Sequence, residues 1–180
     1  MSLLTVIAGP MFAGKTEELQ RRMRRVRIAG RAVFYIRPAV DRPQGARSHG
    51  GLTVEGVRVH AVSVDSRTRP HVPGETALIV VDEAQFFDPE SLLAWVRYWR
   101  CKNFEVLIGG LDLDYCEEPF PVIASLLALA DVPVKLCAVC ARCGGNARRS
   151  YRLSDDTERV VIGNEYEPRC EPCFRGGSRL

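Results

Sequence analysis

An eight-residue segment near the start of the chain, GPMFAGKT at residues 9–16, constrains the fold more than any other feature. It matches the pattern G-x-x-x-x-G-K-[ST], follows the apolar run 3–8 and precedes a helix-compatible stretch. Backbone N–H groups in such a loop converge on phosphate oxygens, and the N-terminus of the next helix adds partial positive charge. The motif therefore predicts a strand, a loop and a helix that bind a nucleoside triphosphate. Lys15 would reach the β- and γ-phosphates, and the Thr16 hydroxyl would bind Mg²⁺.

The bulk composition excludes several classes of protein. A chain of 180 residues with 46% hydrophobic and 26% charged residues is typical of one soluble domain with room for a small appendage. A net charge of +3 is too small to indicate a nucleic-acid or membrane partner. No apolar stretch approaches the ~20 residues that span a bilayer, and the N-terminus lacks a signal-peptide layout. We therefore expect a cytoplasmic protein with neither partner.

Strand-like and helix-like segments alternate along the first part of the chain. Apolar runs typical of strands lie at residues 3–8, 32–36, 57–62, 77–81, 105–108 and 132–136, and helical patterns lie at 17–29 and 89–101. This alternation predicts an α/β fold, with a mostly parallel sheet covered by helices on both faces. The Gly-, Pro- and Arg-rich segment 41–53 is interpreted as a mobile loop.

The composition changes near residue 137. Cysteines cluster from there, two short β-prone stretches follow at 150–153 and 159–162, and the end is rich in Gly and Arg. We therefore predict two units: a nucleotide-binding α/β domain over residues 1–136 and a small second domain over residues 137–180.

An acidic pair, Asp82 and Glu83, directly follows the apolar strand 77–81. Phosphate-loop proteins place the carboxylate that organises Mg²⁺ at the end of such a strand, beside the loop, so Asp82 is expected to share that ion with Thr16. A second carboxylate just beyond can orient a nucleophile, since phosphoryl transfer depends mainly on positioning and charge neutralisation. From the residues alone, the nucleophile activated by Glu83 is either water, as in an ATPase, or a substrate hydroxyl, as in a kinase.

Two C-x-x-C pairs lie in the second unit. Cys140 with Cys143 and Cys170 with Cys173 are separated by 26 residues. In a chain without an export signal, four such thiolates predict a tetrahedral structural zinc site. A redox dithiol is the competing interpretation of these pairs. A zinc register that uses Cys137 with Cys140 is also possible, and we prefer Cys143 because the glycines that follow it suit a turn.

Taken together, these motifs resemble those of the type II thymidine kinases. GPMFAGKT, DEAQFF at residues 82–87, GLDLDY at 110–115, PF at 119–120 and the two cysteine pairs occur in that order, and the resemblance covers nearly the whole chain. It implies a RecA-like core with a zinc-stapled lid, and transfer of the γ-phosphate of ATP to the 5′-hydroxyl of thymidine or deoxyuridine. It also implies a role in DNA-precursor salvage and a homotetramer.

The resemblance also implies roles for individual residues. The catalytic residues would be Glu83, the base towards the 5′-hydroxyl, with Lys15 and Arg42. The nucleotide would be held by the phosphate loop and three further residues: Gly9, Pro10, Met11, Phe12, Ala13, Gly14, Lys15, Thr16, Asp41, Asp82 and Gln85. The thymine pocket would be walled by mostly apolar side chains: Met11, Phe86, Leu111, Tyr115, Phe120 and Tyr166.

The chain departs from the family pattern at two places. In this family the loop that contains the residue matching Tyr166 holds the base. Here the stretch before that tyrosine, Gly163-Asn164-Glu165, is shorter than usual, so we expect this loop to be rearranged. In the mobile loop the family has an arginine two positions after an aspartate. Here Arg42 follows Asp41 at once and Arg47 lies further on; either arginine could neutralise phosphate charge, and we favour Arg42.

The main alternative is an ATPase whose zinc unit binds nucleic acid. Such a module needs a basic stripe with stacking aromatic rings. The second unit supplies both kinds of residue in small number: Arg142, Arg148, Arg149, Arg152 and Arg169, with Tyr151, Tyr166 and Phe174.

Overall fold

A computed structural model of the chain describes residues 2–39, 59–154 and 165–176, with the backbone alone for residues 59–63. The predicted mobile loop 41–53 and the predicted strand 159–162 lie outside these residues. Among the described residues, no helix combines the length and apolar content needed to cross a bilayer.

A six-stranded sheet forms the centre of the fold. Its strands are β1 (Leu4–Ala8), β2 (Ala32–Pro38), β3 (Val59–Val64), β4 (Thr76–Val81), β5 (Glu105–Gly110) and β6 (Val132–Lys135). The spatial order is β3-β2-β4-β5-β1-β6, and each of these pairings is parallel. The strand that leads into the phosphate loop, β1, is therefore separated from β4 by a single strand, β5.

Helices cover both faces of the sheet, as parallel sheets require. On one face α1 (Lys15–Ile28) buries Leu19 and Met23 against side chains of the central strands. On the other face lie α2 (Pro89–Cys101) and α3 (Pro121–Leu129), packed over a larger apolar cluster. The start of α2 is fixed by the Asp88 side chain, which accepts a hydrogen bond from the Ser91 backbone N–H at 3.0 Å.

Short antiparallel pairs follow the last strand of the sheet. β7 (Ala138–Val139) pairs with β8 (Asn146–Ala147), and β9 (Arg149–Arg152) pairs with β10 (Tyr166–Arg169), before the short helix α4 (Glu171–Arg175). The secondary structure thus changes character near residue 137. The division of the chain into domains at that point stays a prediction.

The predicted fold class is confirmed. Each of the six predicted sheet strands overlaps an observed strand, and the two predicted helices correspond to α1 and α2. The predicted strand 150–153 corresponds to β9. No helix was predicted at α3, because its residues PVIASLLAL are apolar nearly all round and therefore lack a clear helical period.

We expect Trp99 to be a main support of the core beneath α2. Its side chain is 1% exposed, so Trp99→Ala should lower the free energy of unfolding by about 3–5 kcal/mol. Tyr98→Ala is the matched control, because Tyr98 is exposed and its ring contacts the Arg69 guanidinium. Its loss should cost about 1 kcal/mol or less. Urea unfolding of both variants measures the difference, and equal losses would contradict the assignment.

Candidate active site

The phosphate loop has a backbone that only particular residues allow. A Cβ on Gly9 would lie 2.7 Å from the backbone oxygen of Leu136, closer than real Cβ contacts come, so only glycine lets the loop pass the residue that follows β6. Gly14, at φ 79°, takes the left-handed conformation just before α1, and Phe12 takes it at φ 62°. The loop therefore turns sharply onto the helix N-terminus, as the motif predicts.

Lys15 lies among carboxylates at the start of α1. Its Nζ donates a hydrogen bond to the Pro10 carbonyl at 2.7 Å, so the side chain curls over the loop. Burial lowers the pKa of Lys15 from its ordinary value, and the charges of Glu83 and Asp82 act in the opposite direction. The ammonium group is thus placed between the loop and the acidic pair.

Asp82 lies at the end of β4 with its carboxylate buried. Its Oδ2 accepts hydrogen bonds from the Tyr35 hydroxyl at 3.1 Å and from Thr16 Oγ1 at 3.4 Å, and its Oδ1 accepts one from the Glu83 N–H at 2.9 Å. Burial first, and the neighbouring Glu83 charge second, raise the pKa of Asp82 to about 6. The structure therefore brings Thr16 and Asp82 together, and their oxygens are the hard ligands that Mg²⁺ takes.

The last two residues of β5 make room for this arrangement. A Cβ on Gly109 would lie 2.8 Å from Leu19 Cδ1 and 3.4 Å from Asp82 Oδ1. A Cβ on Gly110 would lie 2.6 Å from Ile123 Cδ1 and 3.0 Å from Gln85 Oε1. Because β5 lies between β1 and β4, the absence of side chains here lets the acidic residues approach the phosphate loop.

Glu83 has an unusual backbone. It takes the left-handed conformation, at φ 52° and ψ 41°, which is uncommon for a residue with a side chain and recurs at functional sites. A short 3₁₀ turn, Ala84–Phe86, follows it. Its Oε2 accepts a hydrogen bond from Gln85 Nε2 at 2.5 Å. The carboxylate is therefore held beside Lys15 and Asp82, on the rim of the sheet.

The residues predicted to wall the base pocket fall into two groups. Leu111 and Phe120 are buried in the large apolar cluster, and Met11 packs against that cluster. Tyr115 and Tyr166 both contact Arg152, whose guanidinium lies 3.6 Å from the Tyr115 ring centroid and donates a hydrogen bond to the Tyr166 hydroxyl at 2.5 Å. Phe86 is partly exposed at the end of the 3₁₀ turn.

The sequence reading missed two residues that join these parts. Arg152 is buried, yet in an Arg-rich stretch nothing distinguishes it from a surface charge. Ser150, on β9, accepts a hydrogen bond from the Met11 N–H of the phosphate loop at 3.0 Å. No local pattern could have paired Met11 with Ser150, since 139 positions separate them in the chain.

The four predicted zinc ligands come together. One sulfur atom from each of Cys140, Cys143, Cys170 and Cys173 lies within 4.8 Å of the others, and those of Cys143 and Cys170 are 3.5 Å apart. A tetrahedral ion with Zn–S distances of ~2.3 Å separates its sulfurs by about 3.8 Å, so the set fits zinc. Cys137 is outside this group, and its sulfur accepts a hydrogen bond from Arg148 Nε. The geometry supports the register that uses Cys143.

Comparisons with known proteins agree with this site. A family model described as thymidine kinase matches residues 2–174. The chain belongs to the thymidine kinase family. The thymidine kinases of two Chloroflexus aurantiacus strains, J-10-fl and Y-400-fl, are each 36% identical to it, over 95% of this chain and 93% of theirs. Membership in this family makes the protein a kinase.

Three residues expected to act on the nucleotide or its phosphates in this thymidine kinase family member lie outside the described residues. They are Asp41, Arg42 and Arg47. The shortened stretch before Tyr166 falls there in part, since Gly163 and Asn164 are not described. Their roles stay predictions.

The cysteine cluster predicts one zinc ion per chain. Metal analysis of protein purified without chelators should find close to one equivalent, and Cys143→Ser should lose most of it. Cys137→Ser is the matched control, because that thiol lies outside the cluster. A folded protein without zinc, or equal losses in the two variants, would contradict the site.

The buried carboxylate of Asp82 should cost stability at neutral pH. Its folded-state pKa of about 6 lies above the unfolded value of about 3.9, so the folded protein holds that proton more tightly and the ionised form is destabilising above pH 6. Without added Mg²⁺, Asp82→Asn should raise the free energy of unfolding by about 1–3 kcal/mol at pH 7.5. The gain should shrink as the pH falls from 6 towards 4. A gain independent of pH would contradict the charge argument.

Proposed function

We propose that this protein transfers the γ-phosphate of ATP to the 5′-hydroxyl of thymidine or deoxyuridine, giving the nucleoside monophosphate and ADP for DNA-precursor salvage. The observation that carries the proposal is the position of Glu83. Its carboxylate lies beside Lys15 and Asp82 of the phosphate site, and a hydrogen bond from Gln85 links it to the backbone of Leu111, which lies in the apolar cluster. A hydroxyl bound between the two regions would face the γ-phosphate.

On the nucleotide side, the loop N–H groups and the start of α1 would bind the phosphate oxygens of ATP. Lys15 would leave the Pro10 carbonyl and contact the β- and γ-phosphates, a short movement for a flexible side chain. Thr16 and Asp82 would hold Mg²⁺, which would neutralise phosphate charge. Asp41 and either Arg42 or Arg47 are the further groups proposed for this side. Gln85, which the family resemblance also assigns to the nucleotide, bonds through its side-chain amide to Glu83 and Leu111.

On the nucleoside side, Glu83 would accept the proton of the 5′-hydroxyl as the oxygen bonds to phosphorus. A carboxylate suffices as the base because the transition state of phosphoryl transfer is loose and depends mainly on alignment. Met11, Leu111 and Phe120, with Phe86, Tyr115 and Tyr166, would enclose the planar base in a pocket that is mainly apolar. Enclosure also excludes water, which a kinase requires if hydrolysis of ATP is to be avoided.

Family membership supports the remaining features of the proposal. We propose a structural zinc ion, a homotetramer and a cytoplasmic location. The ATPase alternative gains no support, because three of the five arginines considered for that module pair with carboxylates of the protein. Arg142 pairs with Glu167, Arg149 with Glu117 and Glu171, and Arg169 with Glu167. Arginines held this way cannot form the open basic stripe that nucleic acid needs.

The first test is a nucleoside panel incubated with purified protein, ATP and Mg²⁺, with nucleoside monophosphate and ADP followed separately. Thymidine monophosphate should form in step with ADP, and omission of thymidine should stop ADP release. ADP released without any phosphorylated nucleoside would mean that water is the nucleophile, and the proposal would be wrong.

Glu83→Gln should lower turnover by about 10²- to 10⁴-fold, because the amide cannot accept the hydroxyl proton. The affinity for ATP, measured by calorimetry, should stay within about threefold, since the phosphate loop is untouched. Glu90→Gln, at an exposed position in the first turn of α2, is the matched control and should keep full turnover. Near-normal turnover of Glu83→Gln would remove the residue from its proposed role.

A further inference from the structure

We infer that Gln85 is a positioning residue for Glu83, a role that rests on the proposed function of Glu83 as the base. The residue lies in the 3₁₀ turn two positions after Glu83 and is buried. Its side-chain amide bridges two groups: Nε2 donates to Glu83 Oε2 at 2.5 Å, and Oε1 accepts the backbone N–H of Leu111 at 3.0 Å. The amide therefore connects the proposed base to the residue that follows β5.

The orientation of this amide is fixed by its partners. The Leu111 N–H is a donor, so only the carbonyl oxygen of Gln85 can face it, and the NH₂ group must then face the carboxylate. A flipped amide would set donor against donor at Leu111 and oxygen against oxygen at Glu83. The network has a single satisfied arrangement, and a buried polar network of this kind holds its members rigidly.

The backbone around Gln85 also restricts its position. A Cβ on Gly110 would approach Gln85 Oε1 to 3.0 Å, so the glycine provides the space that the amide fills. Leu111 is itself buried in the apolar cluster that contains β5. Two hydrogen bonds therefore fix the Glu83 carboxylate relative to the sheet. This support matters because Glu83 has a rare backbone conformation and a side chain that is only partly buried.

One carboxylate oxygen is thus held and the other is left for the substrate. Among the described residues, Glu83 Oε1 has no hydrogen-bond partner, whereas Oε2 bonds to Gln85. This division selects which oxygen meets the 5′-hydroxyl and fixes its direction. Because misplacing a catalytic group by about 1 Å can cost ~10²-fold in rate, a residue that removes this freedom contributes to turnover without touching the nucleoside.

Two variants separate this role from a nucleotide contact. Gln85→Met removes both hydrogen bonds at similar volume, and Gln85→Glu keeps an oxygen for the Leu111 N–H but replaces the neutral amide donor with a second carboxyl group against Glu83. Both should lower kcat by about 10- to 100-fold. The KM for thymidine and the calorimetric Kd for ATP should change less than about threefold. Thermal unfolding checks that each variant is folded. If Gln85→Met does not fold, the kcat of Gln85→Glu provides the test.

A double-mutant cycle tests whether Gln85 acts through Glu83. In a Glu83→Gln background, adding Gln85→Met should leave the residual single-turnover rate unchanged, because there is no longer a carboxylate to orient. An undiminished effect in that background, or a rise in the Kd for ATP that matches the fall in kcat, would overturn the inference. Full turnover of Glu83→Gln alone would instead overturn the proposed role of Glu83, so the two failures are distinguishable.

Discussion

The rest of the site depends on one buried carboxylate, that of Asp82. The apolar strand β4 places Asp82 where the carboxyl ends of the strands meet, and burial there disfavours its charge and raises its pKa to about 6. Hydrogen bonds from Tyr35 and from the Glu83 N–H offset part of that cost, and Thr16 approaches from the phosphate loop. The fold thus maintains a charge that a stability-driven sequence would remove, in the place where a bound cation would compensate it.

Space, as much as charge, defines the site. The two glycines that end β5 leave a gap between β1, which precedes the phosphate loop, and β4, which directly precedes Asp82. Side chains from both faces of the sheet close on this gap, Leu19 from α1 and Ile123 from α3, so it is bounded by well-packed helices. Asp82 and Gln85 enter it from β4 and the turn that follows. A methyl group at either glycine would displace one of these side chains.

The sequence predicted the contiguous features well and the contacts between distant segments poorly. The strands, the phosphate loop, the acidic pair and the cysteine pairs each carry a local pattern, a period or a spacing, that chemistry restricts. The bond between Gln85 and Leu111 joins positions 26 apart, and that between Met11 and Ser150 joins positions 139 apart. No sequence pattern marks either contact. Arg152 could not be recognised because a buried arginine and an exposed one look alike in a sequence.

The contacts of Ser150 and Ala13 explain why a cysteine cluster accompanies a phosphate loop. Ser150, from β9, accepts the Met11 N–H, and Ala13 packs against a small cluster that contains Cys140. A metal held by both cysteine pairs would join the β7–β8 hairpin to the segment that follows β10, and β10 pairs with β9. These contacts therefore support both the phosphate loop and β9, the strand that carries Arg152 with its contacts to Tyr115 and Tyr166. Because the segment that carries the cysteines contacts both sides, we expect a disturbance at the cysteines to affect the proposed nucleotide and nucleoside regions together.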